Sequence, residues 1–486
     1  MKRLNSYFMT GMMALAMLSS CNNEDNPAGE YQPEGRDAIA TFKLVVGSTG
    51  TATRAEEAGK DEGTLAEQTV NSLTLLVFDN RNGADVNTFD SEAVLENVMT
   101  FDDMGDKGTY TAKVETTEGK KIAIALANNP AAGDNNIPYA KGTTKYGSFM
   151  KHVFNAVKMN EDNSVSLNIV SKDNGLQMVS PVKGIEVKAG QGNPIELALE
   201  RLAAKVQVLF PTDIAKAEDF EPLALKDMNL KVSNVRYLPT QYQTKMTIAT
   251  PQVGTGVTGG AVTQHKQFPG LTWNDGEKQW TWTEEQATAW ATPGEDTNWS
   301  TAPDNAVYVT ENIMTSANNP KRNEATALVV KTVLSFDGVT EGSDFYAVCK
   351  FKDAEAAKTE PMKWQNLDMT APYYGVYPTG VAAQQAIDDN SLDESVYKVV
   401  QFKGGISYYR INLQNKTEVT TGGYFSVKRN SYYQIKVNQI NNIGWPYPND
   451  LVDPSDSEEA EDNRVGIDAT VNVQAWKVIE QDSSLQ

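Results

Sequence analysis

Apolar and polar residues alternate with a period of two along much of the chain, a rhythm that predicts strands. It is clearest from Ala38 to Val46, where Ala38, Ala40, Phe42, Leu44 and Val46 share one face while Thr41 and Lys43 lie on the other. The run Val70 to Phe78 places Leu73, Leu75 and Val77 on one face and stops at Asp79-Asn80-Arg81-Asn82-Gly83, whose Asn-Gly step suits a tight turn. Tyr110 to Val114, Ile122 to Ala127 and Ile195 to Leu199 continue the series. Past Pro211 the pattern resumes over 230–237, 306–309, 327–336, 345–351, 407–413, 432–440 and 467–478. Helix-like spacing predicts one short helix, Tyr146 to Val157, from Phe149, Val153 and Ala156. Many short β-rich runs divided by Gly, Asn, Asp and Pro predict an all-β chain of sandwiches rather than a parallel α/β sheet.

The first residues follow another pattern. Lys2 and Arg3 precede an apolar run from Tyr7 to Leu18, which ends in Leu18-Ser19-Ser20-Cys21. A positive start, a short apolar stretch and small residues before the cut predict a signal peptide, and a run of about a dozen residues is too short to span roughly 30 Å of hydrocarbon. The Leu-Ser-Ser-Cys ending resembles a lipobox, so Cys21 is expected to be acylated, with palmitate as a component, and the precursor to be an outer-membrane lipoprotein. The one remaining cysteine, Cys349, then has no partner, and burial rather than disulfide bonding must hold the fold.

The expected organisation is a signal peptide over residues 1–20, a lipidated leader with the first strand over 21–54, an N-terminal sandwich over 55–209 and a C-terminal sandwich over 210–486. Long insertions are expected at 251–305 and 353–393 within the second sandwich. The 63 acidic residues outnumber 43 basic ones, for a net charge of −20, and the imbalance lies downstream of Arg54. Such a surface repels phosphate backbones and anionic lipid, so nucleic acid is excluded as a partner and membrane contact is expected only through the precursor's lipid.

Candidate chemistry is sparse, and no catalytic residue, metal site or cofactor is expected. The two histidines, His152 and His265, fall in different expected domains and cannot build a triad or a histidine–cysteine zinc site. Gly254-Thr255-Gly256-Val257-Thr258-Gly259 has the letters of a dinucleotide fingerprint, but the residues after it are poor helix formers, so it reads as a loop. The acidic run at Asp453, Asp456, Glu458, Glu459, Glu461 and Asp462 lacks the alternation and central glycine of a calcium loop and reads as a solvated linker. Five tryptophans, Trp273, Trp280, Trp282, Trp290 and Trp299, crowd the first insertion, where they either pack the insertion onto its own domain or form an adhesion loop.

Several ordered segments together resemble the major fimbrillins of the Bacteroidales, the shaft subunits of type V pili. They are the lipobox, Thr53-Arg54-Ala55, Leu73-Thr74-Leu75-Leu76-Val77-Phe78-Asp79, Ile122 to Pro130, Leu199-Glu200-Arg201-Leu202-Ala203-Ala204-Lys205-Val206, Tyr308 to Asn312, Tyr408 to Leu413, Val427 to Tyr433 and Val471 to Trp476. The resemblance implies two tandem transthyretin-like β-sandwich domains and a polymerisation route, with adhesion and colonisation as the role. A surface protease specific for arginine would cut between Arg54 and Ala55, the strand carrying Ala38, Ala40, Phe42, Leu44 and Val46 would leave, and the C-terminal strand of another copy would fill the groove.

The implied partners are further copies of the chain, accessory pilus subunits and surface ligands of host or bacteria, in a cell-surface fimbrium. The expected donor residues are Ile467, Val471, Val473, Trp476, Val478, Ile479 and Leu485. Whether 467–476 donates, or belongs to its own domain and leaves donation to 477–486, is open from the sequence. An alternative is an anchored surface lipoprotein that binds glycan or protein through the tryptophan-rich insertion.

Overall fold

The structure is a computed structural model and describes residues 31, 35–46, 67, 69–102, 109–159, 165–171, 175–190, 194–222, 225, 227–240, 242–243, 245–249, 264–265, 271–274, 279–282, 292–293, 306–313, 325–359, 362–414, 425–447 and 467–475. The described residues are mostly strand, as the period-two pattern predicts.

The first half is built from β1 (Asp37–Val46), β2 (Ser72–Asp79), β3 (Val94–Asp102), β4 (Thr109–Thr117), β5 (Gly119–Ala127), β6 (Met178–Val179), β7 (Lys183–Val187) and β8 (Ile195–Arg201). They pair in the order β3-β2-β5-β6-β8-β1-β4, with β7 beside β6 on the edge of β5. The two-residue β6 is the hinge of this path. It lets the β3-β2-β5 and β8-β1-β4 portions enclose one core of Phe42, Leu44, Leu73, Leu75, Val77, Tyr110, Val114, Ala125, Leu197 and Leu199. The far faces of β2 and β5 are buried as well, because Leu76, Phe78, Ile122 and Ile124 pack with Phe149 and Phe154 of the next layer. Burial on both faces is why these strands read as Leu-Thr-Leu-Leu-Val-Phe and Ile-Ala-Ile-Ala-Leu-Ala instead of alternating cleanly.

The second half contains β9 (Ala203–Leu209), β10 (Ala215–Glu221), β11 (Lys231–Thr240), β12 (Val307–Thr310), β13 (Ala327–Ser335), β14 (Phe345–Lys350), β15 (Tyr373–Tyr377), β16 (Tyr397–Phe402), β17 (Ile406–Asn412), β18 (Ser431–Asn442) and β19 (Ile467–Ala475). The long β18 has β9 and β10 end to end in parallel along one edge and β19 antiparallel along the other. Val206 and Val208 of β9 and Ile435 and Val437 of β18 share a core with Leu328, Val330 and Tyr409 from the β11-β13-β17 sheet. A single residue, Leu202, separates the last strand of the first sheet system from the first strand of the second.

Two helices differ from expectation. The predicted helix over 146–157 is only α1 (Tyr146–Met150), and Val153–Asn155 becomes a strand that pairs with Lys245–Thr247, so tertiary pairing overrides the local spacing. A helix not foreseen, α2 (Gly380–Asp389), lies within the expected insertion at 353–393. The Thr379 hydroxyl caps it by accepting from the Ala382 amide, and Ala383 and Ile387 bury against Val348 of the β15-β14-β16 meander.

Strand β3 was hidden from the sequence by a bulge. The pairing with β2 shifts between Val77–Asn97 and Phe78–Leu95, leaving Glu96 as the extra residue. The bulge turns Glu96 inward, where its Oε2 lies 2.5 Å from Lys121 Nζ, and Lys121 also reaches Asp79 at 3.1 Å. All three side chains are at most 4% exposed. Removing one partner of such a group leaves buried charge unmatched, so Lys121→Ala should lower folding stability by about 3–5 kcal/mol. Chemical denaturation of the two proteins checks this; a loss below about 1 kcal/mol would contradict the burial described.

Candidate functional site: the seat of the first strand

Strand β1 occupies an interior place. On one edge it pairs in parallel with β8, Phe42 opposite Ile195 and Leu44 opposite Leu197; on the other it pairs antiparallel with β4, from Asp37–Thr117 to Val45–Thr109. Its inward face presents Ala38, Ala40, Phe42 and Leu44, all buried, with Phe42 and Leu44 fully enclosed. Its outward face is open at the start and closes towards the end: Ile39 is 55% exposed and, with Thr41, lines a cleft of about 800 Å³ shared with Asn97, Lys113, Glu115 and Lys141, whereas Val45 is buried. This is the alternation read from the sequence. Four of the five expected inward residues are confirmed as buried, while the side chain of Val46 lies outside the described residues.

The segment before β1 is also held. At Gly35 the backbone takes φ +127°, where a Cβ would stand 3.1 Å from the Glu118 carbonyl oxygen. The Glu118 amide then donates to the Arg36 carbonyl at 2.9 Å. Beyond this turn the Tyr31 hydroxyl donates to Asp79 Oδ2 at 2.7 Å. Arg81 Nε donates to the same oxygen at 2.6 Å, and Lys121 holds Oδ1. Burial acts to raise the Asp79 carboxyl, but hydrogen bonds from Arg81 and Tyr31 and the charge of Lys121 outweigh it and hold the group below the ordinary carboxylate range. Burial and the adjacent Asp79 push the Tyr31 phenol well above its usual value, so it keeps its proton and donates.

On the far side of residues 47–66 the chain is pinned at Glu67. This buried carboxylate receives the Tyr308 hydroxyl at 2.5 Å and the Lys205 ammonium at 3.3 Å, while its carbonyl accepts from Arg201 Nε at 3.1 Å. Neither anchor was expected from the sequence. Tyr31, Asp79, Glu67 and Lys205 are scattered over 175 positions, and only the sign of their charges hinted at pairing.

The remaining expected residues distribute as follows. Ile467, Val471 and Val473 lie in β19, opposite Ile440, Ile435 and Tyr433 of β18. Trp476, Val478, Ile479 and Leu485 lie outside the described residues, as do Cys21, Arg54, Ala55, Trp290 and Trp299. Trp273, Trp280 and Trp282 fall in a two-stranded ladder in which Trp273 pairs with Trp280 and Leu271 with Trp282. Cys349 is fully buried, and that burial pushes its thiol far up, so it behaves as an inert core residue.

Comparison with known proteins bears on this arrangement. The model of the family described as major fimbrial subunit protein (FimA) matches residues 40–201, from within β1 to the end of β8. The model described as major fimbrial subunit protein type IV, fimbrillin, C-terminal, matches residues 400–482, and the two together take in about half of the chain. No curated protein sequence matches. Among solved structures, a fimbrilin (FimA) from Porphyromonas gingivalis W83 is similar at 15% identity and a TM-score of 0.44, over 91% of this chain and 99% of that one. The tip fimbrial protein Mfa3 from Porphyromonas gingivalis is similar at 14% identity and a TM-score of 0.37, over 91% and 100%. With one model matched from the first strand of the sandwich and a second through the C-terminal strands, the chain belongs to the major fimbrial subunit, or fimbrillin, family.

Proposed function

We propose that this fimbrial subunit is exported as a lipoprotein acylated at Cys21, is cut after Arg54, and polymerises when the C-terminal segment of another copy replaces β1. The observation that carries the reading is the double character of β1. It supplies Phe42 and Leu44 to the core, yet its covalent connection to the strands that follow runs through residues 47–66, which contain Arg54. One cut there converts an integral strand into a bound peptide.

Energetics favour a replacement of similar pattern over an empty groove. Losing β1 uncovers two large apolar side chains' worth of burial, roughly 1.5–3 kcal/mol each. It also frees main-chain groups of β4 and β8, each worth about 0.5–1.5 kcal/mol when paired. An incoming strand with apolar residues at alternate positions restores both, with side-chain pockets setting its register. The chain itself offers such a pattern in Ile467, Ala469, Val471, Val473 and Ala475.

We assign donation to the segment from Ile467 onward, including Trp476, Val478, Ile479 and Leu485. Among the described strands β19 pairs only with β18, so stripping it off breaks one row of hydrogen bonds and leaves the β9–β18 pairing in place. The expected division at 209/210 falls after β9, which pairs with β12 and β18, so within this reading the two structural units divide at Leu202 instead.

The mature N-terminus tests the cut: mass spectrometry of assembled material should find Ala55, whereas acylated Cys21 in the polymer would point to an anchored protein. Arg54→Ala should abolish polymer formation with an arginine-specific protease while the precursor keeps its melting temperature. The extent of the donor is checked by Gln434→Cys with Asn472→Cys, facing positions on β18 and β19. Oxidation of that pair should block assembly and reduction restore it; undiminished assembly when oxidised would confine donation to residues after Ala475.

A further inference from the structure

The grip of the leader extends past β1, and its outer contact is of a different kind. Along β1 the leader is held by backbone pairing and by an apolar face, which any strand of the same pattern could imitate. Tyr31, on the other side of the Gly35 turn, is held by chemistry: its hydroxyl donates to an Asp79 carboxylate whose side chain is 4% exposed. That carboxylate is the junction of a network in which Lys121 spans Asp79, Glu96 and the Thr117 hydroxyl, while Glu96 Oε1 accepts from the Thr116 hydroxyl and the Thr117 amide at 2.9 and 2.6 Å. The network therefore ties together the ends of β2, β3, β4 and β5 at the place where β1 begins, since Asp37 is the residue opposite Thr117. Among the described residues its other members belong to the body of the subunit, and Tyr31 is contributed by the leader.

We propose that Tyr31 is a latch: after the loop is cut, its hydrogen bond to Asp79 keeps the leader seated and sets the rate at which β1 leaves, without affecting the cut. The inference rests on strand exchange as the assembly route. A hydrogen bond to a charged, shielded acceptor is among the stronger single contacts, and it must break before β1 can peel away from that end. The latch delays opening of the apolar groove, so the cut subunit does not expose it before a donor is at hand. Tyr31 acts as a positioning residue here, because it touches neither the incoming strand nor the cut bond.

The experiment uses the full precursor and its Tyr31→Phe variant, which keeps the ring and loses only the hydroxyl. Both are nicked with an arginine-specific protease, and the leader fragment that remains bound is followed over time by size exclusion and mass spectrometry. Equal rates of cutting and uncut proteins that are both folded, with the leader dissociating about ten- to a hundredfold faster from the variant and polymer appearing correspondingly sooner, is the expected result. Equal dissociation rates would overturn the latch and leave strand exchange standing. Polymers that form while the wild-type leader stays bound throughout would overturn strand exchange itself, and the latch with it.

Discussion

Phe42 and Leu44 are enclosed between two sheets, yet the strand carrying them is the first of the described strands and is separated in sequence from the next by residues 47–71. Its parallel pairing with β8, the last strand of the same sandwich, is what makes both statements true together. A parallel neighbour needs a long connection, so β1 is tied to its partner through the whole intervening sheet and not by a hairpin. The second half repeats the arrangement, with β9 parallel to the late strand β18. There the early strand continues directly from β8 through Leu202, so it is held covalently at both ends. The same parallel pairing thus recurs in both halves, with β9 continuous with β8 through Leu202 and β1 followed by the connection through residues 47–66.

Buried charges stand at the seams of this construction. Lys121 with Asp79 and Glu96 closes the end of the first sandwich where β1 enters. Glu67 with Lys205 and Tyr308 joins the segment after residues 47–66 to the first strands of the second half. Arg429 with Glu311 at 2.7 Å, and with the Thr247 and Ile248 carbonyls, ties β18 to the strand that pairs with the first half. Such pairs contribute little net stability against a well-packed apolar alternative, but any packing that separates the partners is strongly disfavoured. Their effect is to exclude wrong registers and wrong dockings of sheets whose apolar faces are otherwise interchangeable.

Legibility followed unbroken runs of apolar, strand-forming residues, whether one face was buried or both. β1, β2, β13 and β17 are dense in such residues and were predicted within a residue or two of their observed limits. β9 was not, although Ala204, Val206 and Val208 alternate with Lys205 and Gln207. Its polar residues are buried as well: Lys205 pairs with Glu67, and Gln207 accepts a hydrogen bond from Tyr432. β3 was missed because the Glu96 bulge breaks its rhythm, and α2 because a helix of ten residues within a meander leaves only Ala383 and Ile387 as its buried face. In the candidate site, the inward residues of β1 were legible and the anchors Tyr31 and Glu67 were not.

By itself the sequence determined the all-β character, the inward face of β1 and the alternating pattern of the last strand, because each depends on side chains two residues apart along one segment. Only the tertiary structure decided that β1 lies between β8 and β4, that β19 rests on β18, and that the leader is held a second time at Asp79. Those facts join residues tens to hundreds of positions apart, and a backbone edge or a buried carboxylate carries no sequence mark of the partner that will satisfy it. The first strand is recognisable as apolar on one side from its own residues; that it lies between β8 and β4 and fills their core is a property of where the rest of the chain places its neighbours.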